Sequence, residues 1–257
     1  MQKLSVIIIT KNEEKNIRAC LESVRWADEI VVVDSLSTDG TAGVCRQYTE
    51  KVFGREFRGF SEQKNYALDR AANDWVLCVD ADETVTGELR SEIDSIIKAP
   101  GIPCNGYLVP RKNFFFGKWA RHCGLYPDYS VRLFRKSKGR FGDTLVHEHV
   151  VLDGKAGKTK GHLLHRTYEN REDFEERSAL YAELWAQERH ARGKKAAWFK
   201  PGLNPLFTFF RMFFLKSGFL DGRDGFLISR LYSRYTFLKY AGLRRLWKKQ
   251  GIKDGRT

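Results

Sequence analysis

Residues 75–83 read WVLCVDADE, five apolar side chains followed by Asp80, Ala81, Asp82 and Glu83. An apolar run of that length, closed by carboxylates, reads as a strand buried on both faces. Asp80 then ends the strand and Asp82 sits in the loop beyond it. Toward the N-terminus the pattern alternates. Ser61–Ala72 reads as a helix, Val52–Phe57 as a strand and Thr41–Tyr48 as a short helix. Glu29–Asp34 (EIVVVD) is a strand, and Asn12–Arg25 a helix with Ile17, Cys20, Leu21 and Val24 at helical spacing. Leu4–Thr10 (LSVIIIT) is the first strand. On the other side, Thr86–Lys98 predicts a helix burying Leu89, Ile93, Ile96 and Ile97, stopped by Pro100-Gly101.

Strands alternating with helices predict an α/β fold with a mostly parallel sheet and right-handed crossovers. Ligands of such sheets bind beyond the carboxyl ends of the strands. Three polar, carboxylate-rich segments are therefore expected to converge: Thr10-Lys11-Asn12-Glu13, Asp34-Ser35-Leu36-Ser37 and Asp80-Ala81-Asp82-Glu83. Two carboxylates at the end of an apolar strand can share a hard divalent cation, Mg²⁺ or Mn²⁺, which also takes phosphate oxygens. A diphosphate leaving group needs that neutralisation when its glycosidic bond breaks. The plainer alternative is a solvated acidic turn that caps the next helix.

The segments VIIITKNEEKNI, IVVVDSLSTDGT and WVLCVDADE resemble the family 2 glycosyltransferases of the GT-A fold. Together with PDYSVRLFRK, LVHEHV and GFLDGRDGF they resemble more narrowly the lipopolysaccharide-core β-1,4-glucosyltransferase branch. The resemblance implies a Rossmann-like nucleotide-diphospho-sugar transferase, with Thr10, Glu13 and Asp34 at the nucleotide base. Lys64 and Asn65 would approach the nucleotide or diphosphate. Asp80 would hold the ribose or share the metal, and Asp82 would hold the metal. Position 35 is Ser where the family commonly has a second acidic residue. Helix capping is the alternative role for Asn12, Asp34 and Thr41, and a solvated helix charge the alternative for Lys64.

Inverting transfer needs a general base on the acceptor hydroxyl. The family's acidic pair and its Q-x-x-R-W motif are absent from this chain. The corresponding stretch holds Val146-His147-Glu148-His149, so Glu148 is the expected base, oriented by His147 or His149, with Asp128 as its rival. A carboxylate set among apolar strand residues has its pKa raised by desolvation, which suits a base. His165 is a further metal ligand under the resemblance, or a structural histidine before the next helix. That helix is predicted over Glu169–Arg192, with Phe174, Ser178, Tyr181 and Trp185 on one face.

Charge divides the chain unevenly. From Arg192 to Thr257 there are 16 Lys+Arg against 3 Asp+Glu, a net +13, and the remainder balances at 29 of each sign. A neutral body with a basic tail predicts a local surface contact rather than a nucleic-acid groove. The expected organisation is a GT-A catalytic domain over residues 1–192 and a basic, aromatic, helical extension over 193–257. Arg211 and Lys216 interrupt the apolar stretch, which disfavours a membrane span. An interfacial segment fits instead, with Phe207, Phe210, Phe214 and Leu215 dipping in while Arg211 and Lys216 reach to the headgroups. The other reading is a helical pair whose aromatics are core. Five scattered cysteines without a C-x-x-C spacing read as reduced, buried thiols of a cytosolic protein. The N-terminal apolar run is too short for a signal peptide.

Taken together, these readings predict a metal-dependent, inverting hexosyltransferase, peripheral on the cytoplasmic face of the inner membrane. It would take glucose from UDP-glucose to a lipid-linked saccharide such as an inner-core heptose. A polyprenyl-phosphate acceptor is the alternative within the fold, and a membrane-surface nucleotide-binding adaptor the non-enzymatic one. A nucleotidyltransferase fits poorly, because the loop after the first strand (TKNEE) is acidic and lacks Gly.

Overall fold

The computed structural model describes residues 2–99, 101, 103–142 and 149–253, with side chains through Gln250. In chain order the elements begin β1 (Leu4–Thr10), α1 (Glu14–Val24), β2 (Glu29–Asp34), α2 (Thr41–Cys45), β3 (Val52–Gly54) and α3 (Phe60–Arg70). Then come β4 (Trp75–Asp80), β5 (Glu83–Val85), α4 (Gly87–Lys98), β6 (Gly106–Phe115), β7 (Lys118–Trp119) and β8 (Asp128–Arg135). The remainder is β9 (Gly139–Phe141), β10 (Val150–Leu152), β11 (Ala156–Lys158), β12 (Leu163–Tyr168), α5 (Arg171–Ala191), α6 (Lys200–Phe210) and α7 (Gly222–Lys253). A π-helical turn, Arg211–Leu215, continues α6, and a 3₁₀ turn, Gly218–Asp221, precedes α7.

The chain divides into two units: Met1–Lys112 with Pro127–Arg166, and Asn113–Tyr126 with Thr167–Thr257. In the first, the sheet runs β3-β2-β1-β4-β8-β6-β12-β5, and β11 pairs with β6. β1 pairs in parallel with both β2 and β4, and β2 in parallel with β3. Two later strands join antiparallel: β8 on β4, and β6 on β8. Alternate side chains of the central strands enter opposite layers, which is why their sequences read as continuous apolar runs. Val6, Ile8 and Leu77 face α1 and α4, whose Ile17, Leu21, Leu89 and Ile93 are fully buried. Ile7, Val31, Val76 and Phe134 face Ala67 and Leu68 of α3. Thr86 caps α4, its hydroxyl accepting from the Leu89 N–H at 3.2 Å.

The second unit is largely helical. α7 packs against both α5 and α6. The expected boundary after Arg192 falls inside this unit, because α5 belongs with the helices that follow it rather than with the sheet. The buried stripe of α5 is Phe174, Ser178, Ala182 and Ala186, in place of the expected Tyr181 and Trp185. Alanine lets the helices approach closely: Ala186 Cβ lies 3.4 Å from where a Cβ on Gly242 of α7 would stand. Trp185 instead meets Tyr240 edge-on at 5.2 Å. Cys20, Cys45, Cys78 and Cys123 are buried free thiols. Burial pushes the Cys45 thiol up to about 12, the behaviour of an inert structural cysteine.

Candidate active site at the carboxyl edge of the parallel strands

Register brings the three expected segments to one level. Thr10 stands beside Asp34 across β1 and β2, and Ile9 stands beside Asp80 across β1 and β4. The loop after β1 is tied to the loop after β2. Asn12, in the left-handed region at φ 53°, accepts from the Thr38 N–H at 2.9 Å and donates its own N–H to the Ser37 hydroxyl at 2.9 Å. Glu13 donates its N–H to the Thr41 hydroxyl at 2.9 Å. Asp34 is buried and accepts from the Ser37 N–H at 2.9 Å and from the Ser37 hydroxyl. It closes a turn of the kind Asp favours. Carboxylate capacity remains on Asp34 beyond those bonds. Beneath this edge, Gln63 is fully buried and donates to the Ser35 hydroxyl at 2.9 Å. Its Oε1 and the Thr10 hydroxyl are buried without a hydrogen-bond partner among the described residues. Such orphaned polar atoms beside a strand edge are available to a bound group.

Asp80 is where the structure departs most from the sequence reading. Lys64 is only 2% exposed, not a solvated helix charge, and its Nζ lies 2.8 Å from Asp80 Oδ1. Arg132 of β8 is nearly as buried and donates from Nη2 to Asp80 Oδ2 at 2.8 Å and to Glu83 Oε1 at 2.9 Å. Glu83, with no exposed surface, accepts the Asp80 N–H at 2.9 Å and lies 3.5 Å from Arg111 Nη1. Arg111 in turn holds Asp128, the rival base, through Nε at 2.9 Å and Nη2 at 2.6 Å. Burial alone raises the Asp80 carboxyl, but the charges of Arg132 and Lys64 outweigh it and hold Asp80 well below the usual carboxylate range. Burial pushes Glu83 up, helped by the Asp80 charge, and the charge of Arg132 offsets this only in part.

With a cation on each oxygen of Asp80, the capacity for a metal falls mainly on Asp82. Asp82 Oδ2 lies 3.3 Å from His165 Nε2, and the Asp82 carbonyl accepts the Arg166 N–H at 3.0 Å. β12 brings His165 there by pairing it with Glu83 of β5. Burial lowers the His165 pKa, but the hydrogen bond and charge of Asp82 outweigh it, so the net shift is upward. No group of three or more His, Cys, Asp or Glu side chains among the described residues forms a metal cage. Mg²⁺ and Mn²⁺ do not need one when phosphate oxygens and water complete the shell. Two adjacent corners of an octahedron with bonds of about 2.1 Å stand about 3.0 Å apart, so the 3.3 Å pair would draw slightly together on a shared cation. Asp82 and His165 are the candidate donors for such a cation.

Asn65 is spent on the fold, its amide bonded to both the N–H and the carbonyl of Phe141 at 3.0 and 2.9 Å. His149 is exposed just before β10. His147 and Glu148, the expected base, lie outside the described residues. Arg132 and Arg111 are the site residues that the sequence reading did not single out. The signal was present in VRLF, where an arginine stands in an otherwise apolar strand and so demands buried carboxylate partners.

The geometry defines an α/β protein whose candidate ligand site is the carboxyl edge of a parallel sheet, built from acidic strand ends with buried cations beside them. The chain belongs to glycosyl transferase family 2, whose model matches residues 5–148. It is 31% identical over 245 residues to the lipopolysaccharide core biosynthesis glycosyltransferase LpsC of Rhizobium meliloti, covering 93% of this chain and 90% of that protein. It is 30% identical over 257 residues to an uncharacterized glycosyltransferase, RT0209, of Rickettsia typhi, covering 96% of this chain and 88% of that one. Among solved structures, S. aureus TarS 1–349 in complex with UDP aligns with a TM-score of 0.47 and 18% identity, over 97% of this chain and 92% of that chain.

Proposed function

We propose that this glycosyltransferase moves a hexose, glucose from UDP-glucose, with inversion onto a lipid-linked saccharide such as a lipopolysaccharide inner-core heptose. The observation that carries the reading is the level arrival of Thr10, Asp34 and Asp80 at one sheet edge. The near-full-length similarity to LpsC supports a core-saccharide acceptor. Thr10, Glu13 and Asp34 are proposed to take the nucleotide base. Lys64 and Arg132 keep Asp80 ionised and fixed, so that it can accept from a ribose hydroxyl without swinging. Asp82 and His165 are proposed to hold Mg²⁺ or Mn²⁺, which would stabilise the departing diphosphate. Glu148 is proposed as the base on the acceptor hydroxyl from sequence alone.

A place at the inner face of the cytoplasmic membrane is part of this proposal. No helix among the described residues is long and apolar enough to cross a membrane. α6 and its π-helical extension bury Pro201, Pro205 and Met212 and leave Leu206, Phe207, Phe210, Phe214 and Leu215 exposed. Thr208 and Pro205 are bonded to Thr236 and Ser233 of α7, so the apolar face is the one α7 does not cover. An apolar face beside Arg211 and Lys216 suits an anionic lipid surface.

A screen of nucleotide sugars for donor hydrolysis, with and without Mn²⁺, tests the reading. UDP-glucose should be hydrolysed fastest and only with the metal, and Asp82→Ala should lose about 10²–10³ in rate. Full activity of Asp82→Ala would overturn the metal assignment.

A further inference from the structure

The motif GFLDGRDGF finds no role at the strand edge. In the second unit, residues 218–226 bend sharply into the start of α7 and wall a cavity of about 330 Å³ against the segment from Phe115 to His122. The bend is closely built. Gly222 lies at φ 58° and Ser217 at φ 54°. A Cβ on Gly225 would stand 1.9 Å from the Gly218 carbonyl oxygen, and one on Gly218 would stand 2.7 Å from Cys123 Sγ. Cys123, itself at φ 60°, donates its N–H to the Lys216 carbonyl at 3.0 Å. Non-glycine residues in the left-handed region cost energy and persist where the surroundings demand them.

This framework places two carboxylates on the cavity. Asp221, 10% exposed, accepts from the His122 N–H at 2.9 Å and from His122 Nδ1 at 2.7 Å. A carboxylate only accepts, so Nδ1 carries the proton in this bond and Nε2 is the ring nitrogen left for a second hydrogen bond. Asp224 is half-exposed and takes Lys118 Nζ at 2.9 Å. Trp119 is part of the wall, with the Arg121 guanidinium 4.8 Å from its ring centre, and Phe115, Leu227 and Ile228 supply apolar surface.

We propose that this cavity binds a neutral sugar ring of the acceptor saccharide, a proposal that rests on the transferase reading above. Three features select that chemistry. The two carboxylates are matched by Lys118 and Arg121, so the rim carries no surplus charge to hold an anion. The carboxylate oxygens of Asp221 and Asp224 accept hydroxyl protons while Lys118 and Arg121 donate to hydroxyl oxygens, which a polyol needs at once. Trp119, a wall residue, supplies aromatic surface for the C–H groups of a pyranose. The volume is at the small end of ligand pockets, roughly 300–1,000 Å³.

The test uses the full chain, with the glycosides titrated without any nucleotide and UDP titrated separately. The methyl α-glycosides of glucose and of L-glycero-D-manno-heptose, with inorganic phosphate as the anionic control, are titrated by calorimetry and by saturation-transfer NMR. Wild type should transfer saturation to the ring protons of at least one glycoside. Trp119→Ala and Asp224→Ala should each weaken that binding tenfold or more, with UDP affinity changed less than twofold. Asp224 is exposed enough that its variant keeps the fold even if Trp119→Ala does not. Absence of glycoside binding to wild type, or equal binding by wild type and Asp224→Ala, overturns the proposal, as does binding of phosphate alone. Failure of the transferase reading shows separately, as a wild type that neither binds nor hydrolyses any nucleotide sugar.

Discussion

Arg132 gives the sharpest test of how the strand edge is held. Its guanidinium is 6% exposed and bridges Asp80 at 2.8 Å and Glu83 at 2.9 Å. Arg132→Met keeps the length and apolar stem of the side chain and deletes the charge. Asp80 then keeps Lys64, but Glu83, with no exposed surface, is left with the Asp80 N–H and with Arg111 at 3.5 Å. Removing one partner of a buried pair costs about 3–5 kcal/mol, because the charge left behind is neither hydrated nor matched. The loss belongs to the first unit, so it should be read there, by hydrogen exchange of the β4 and β8 amides across a urea series. The double variant Arg132→Met with Glu83→Gln removes the stranded charge and should recover a large share of the loss, since the two groups touch and their effects do not add. A single variant costing less than about 1 kcal/mol, or a double variant as unstable as the sum of the two singles, would refute the electrostatic account.

Four further outcomes follow from the same structure. His165→Ala should weaken Mn²⁺-dependent UDP binding, read by calorimetry, and leave metal-free UDP binding unchanged; equal losses with and without metal would remove His165 from the candidate metal donors. Glu29, mostly buried, accepts from Ser5, Lys51 and the Ala72 N–H, the last at 2.7 Å. Burial opposes its ionisation but those bonds win, so its pKa is lowered on folding. A lowered carboxylate stabilises above its ordinary pKa and loses that stabilisation as the pH falls through the folded value. Glu29→Gln should therefore cost about 1.5–3 kcal/mol at pH 7, with the gap to wild type closing in acid on parallel denaturation curves. Gly161→Ala would set a Cβ 2.4 Å from backbone atoms of Leu89 in α4, so the thermal midpoint should drop by several degrees; an unchanged midpoint would mean that the segment shifts freely. Phe207→Glu and Phe210→Glu, at exposed positions, should leave the circular dichroism unchanged and cut sedimentation with anionic vesicles about tenfold, the scale set by losing one buried aromatic.

Much of the fold was legible because the signals were local. The apolar runs 4–10, 29–34 and 75–80 had to be buried on both faces, and each was followed by an amphipathic segment long enough for a crossover helix. Parallel pairing of three such strands carries their polar ends to one edge whatever follows, so Thr10, Asp34 and Asp80 could be grouped from sequence. β4 was bounded to the residue because its last side chain is a carboxylate. Thr86 was readable as the start of α4 because a Thr before an apolar period caps it.

What surrounds Asp80 was not legible, and the reason is register. Arg132 reaches Asp80 only because β8 is inserted antiparallel beside β4, setting Arg135 opposite Trp75 and Leu133 opposite Leu77. A shift of one residue would turn Arg132 to the opposite face. Lys64 looks like any helix lysine until α3 is laid on the sheet. His122 and Asp221 stand 99 positions apart, and nothing in either segment names the other. By itself, then, the sequence determined the parallel sheet, its acidic edge and the basic tail, all set by short-range periodicity and charge. The tertiary structure alone decided that Asp80 is clamped by two buried cations, that His165 stands 3.3 Å from Asp82, and that α5 belongs with the helical unit, because each depends on contacts between segments distant along the chain.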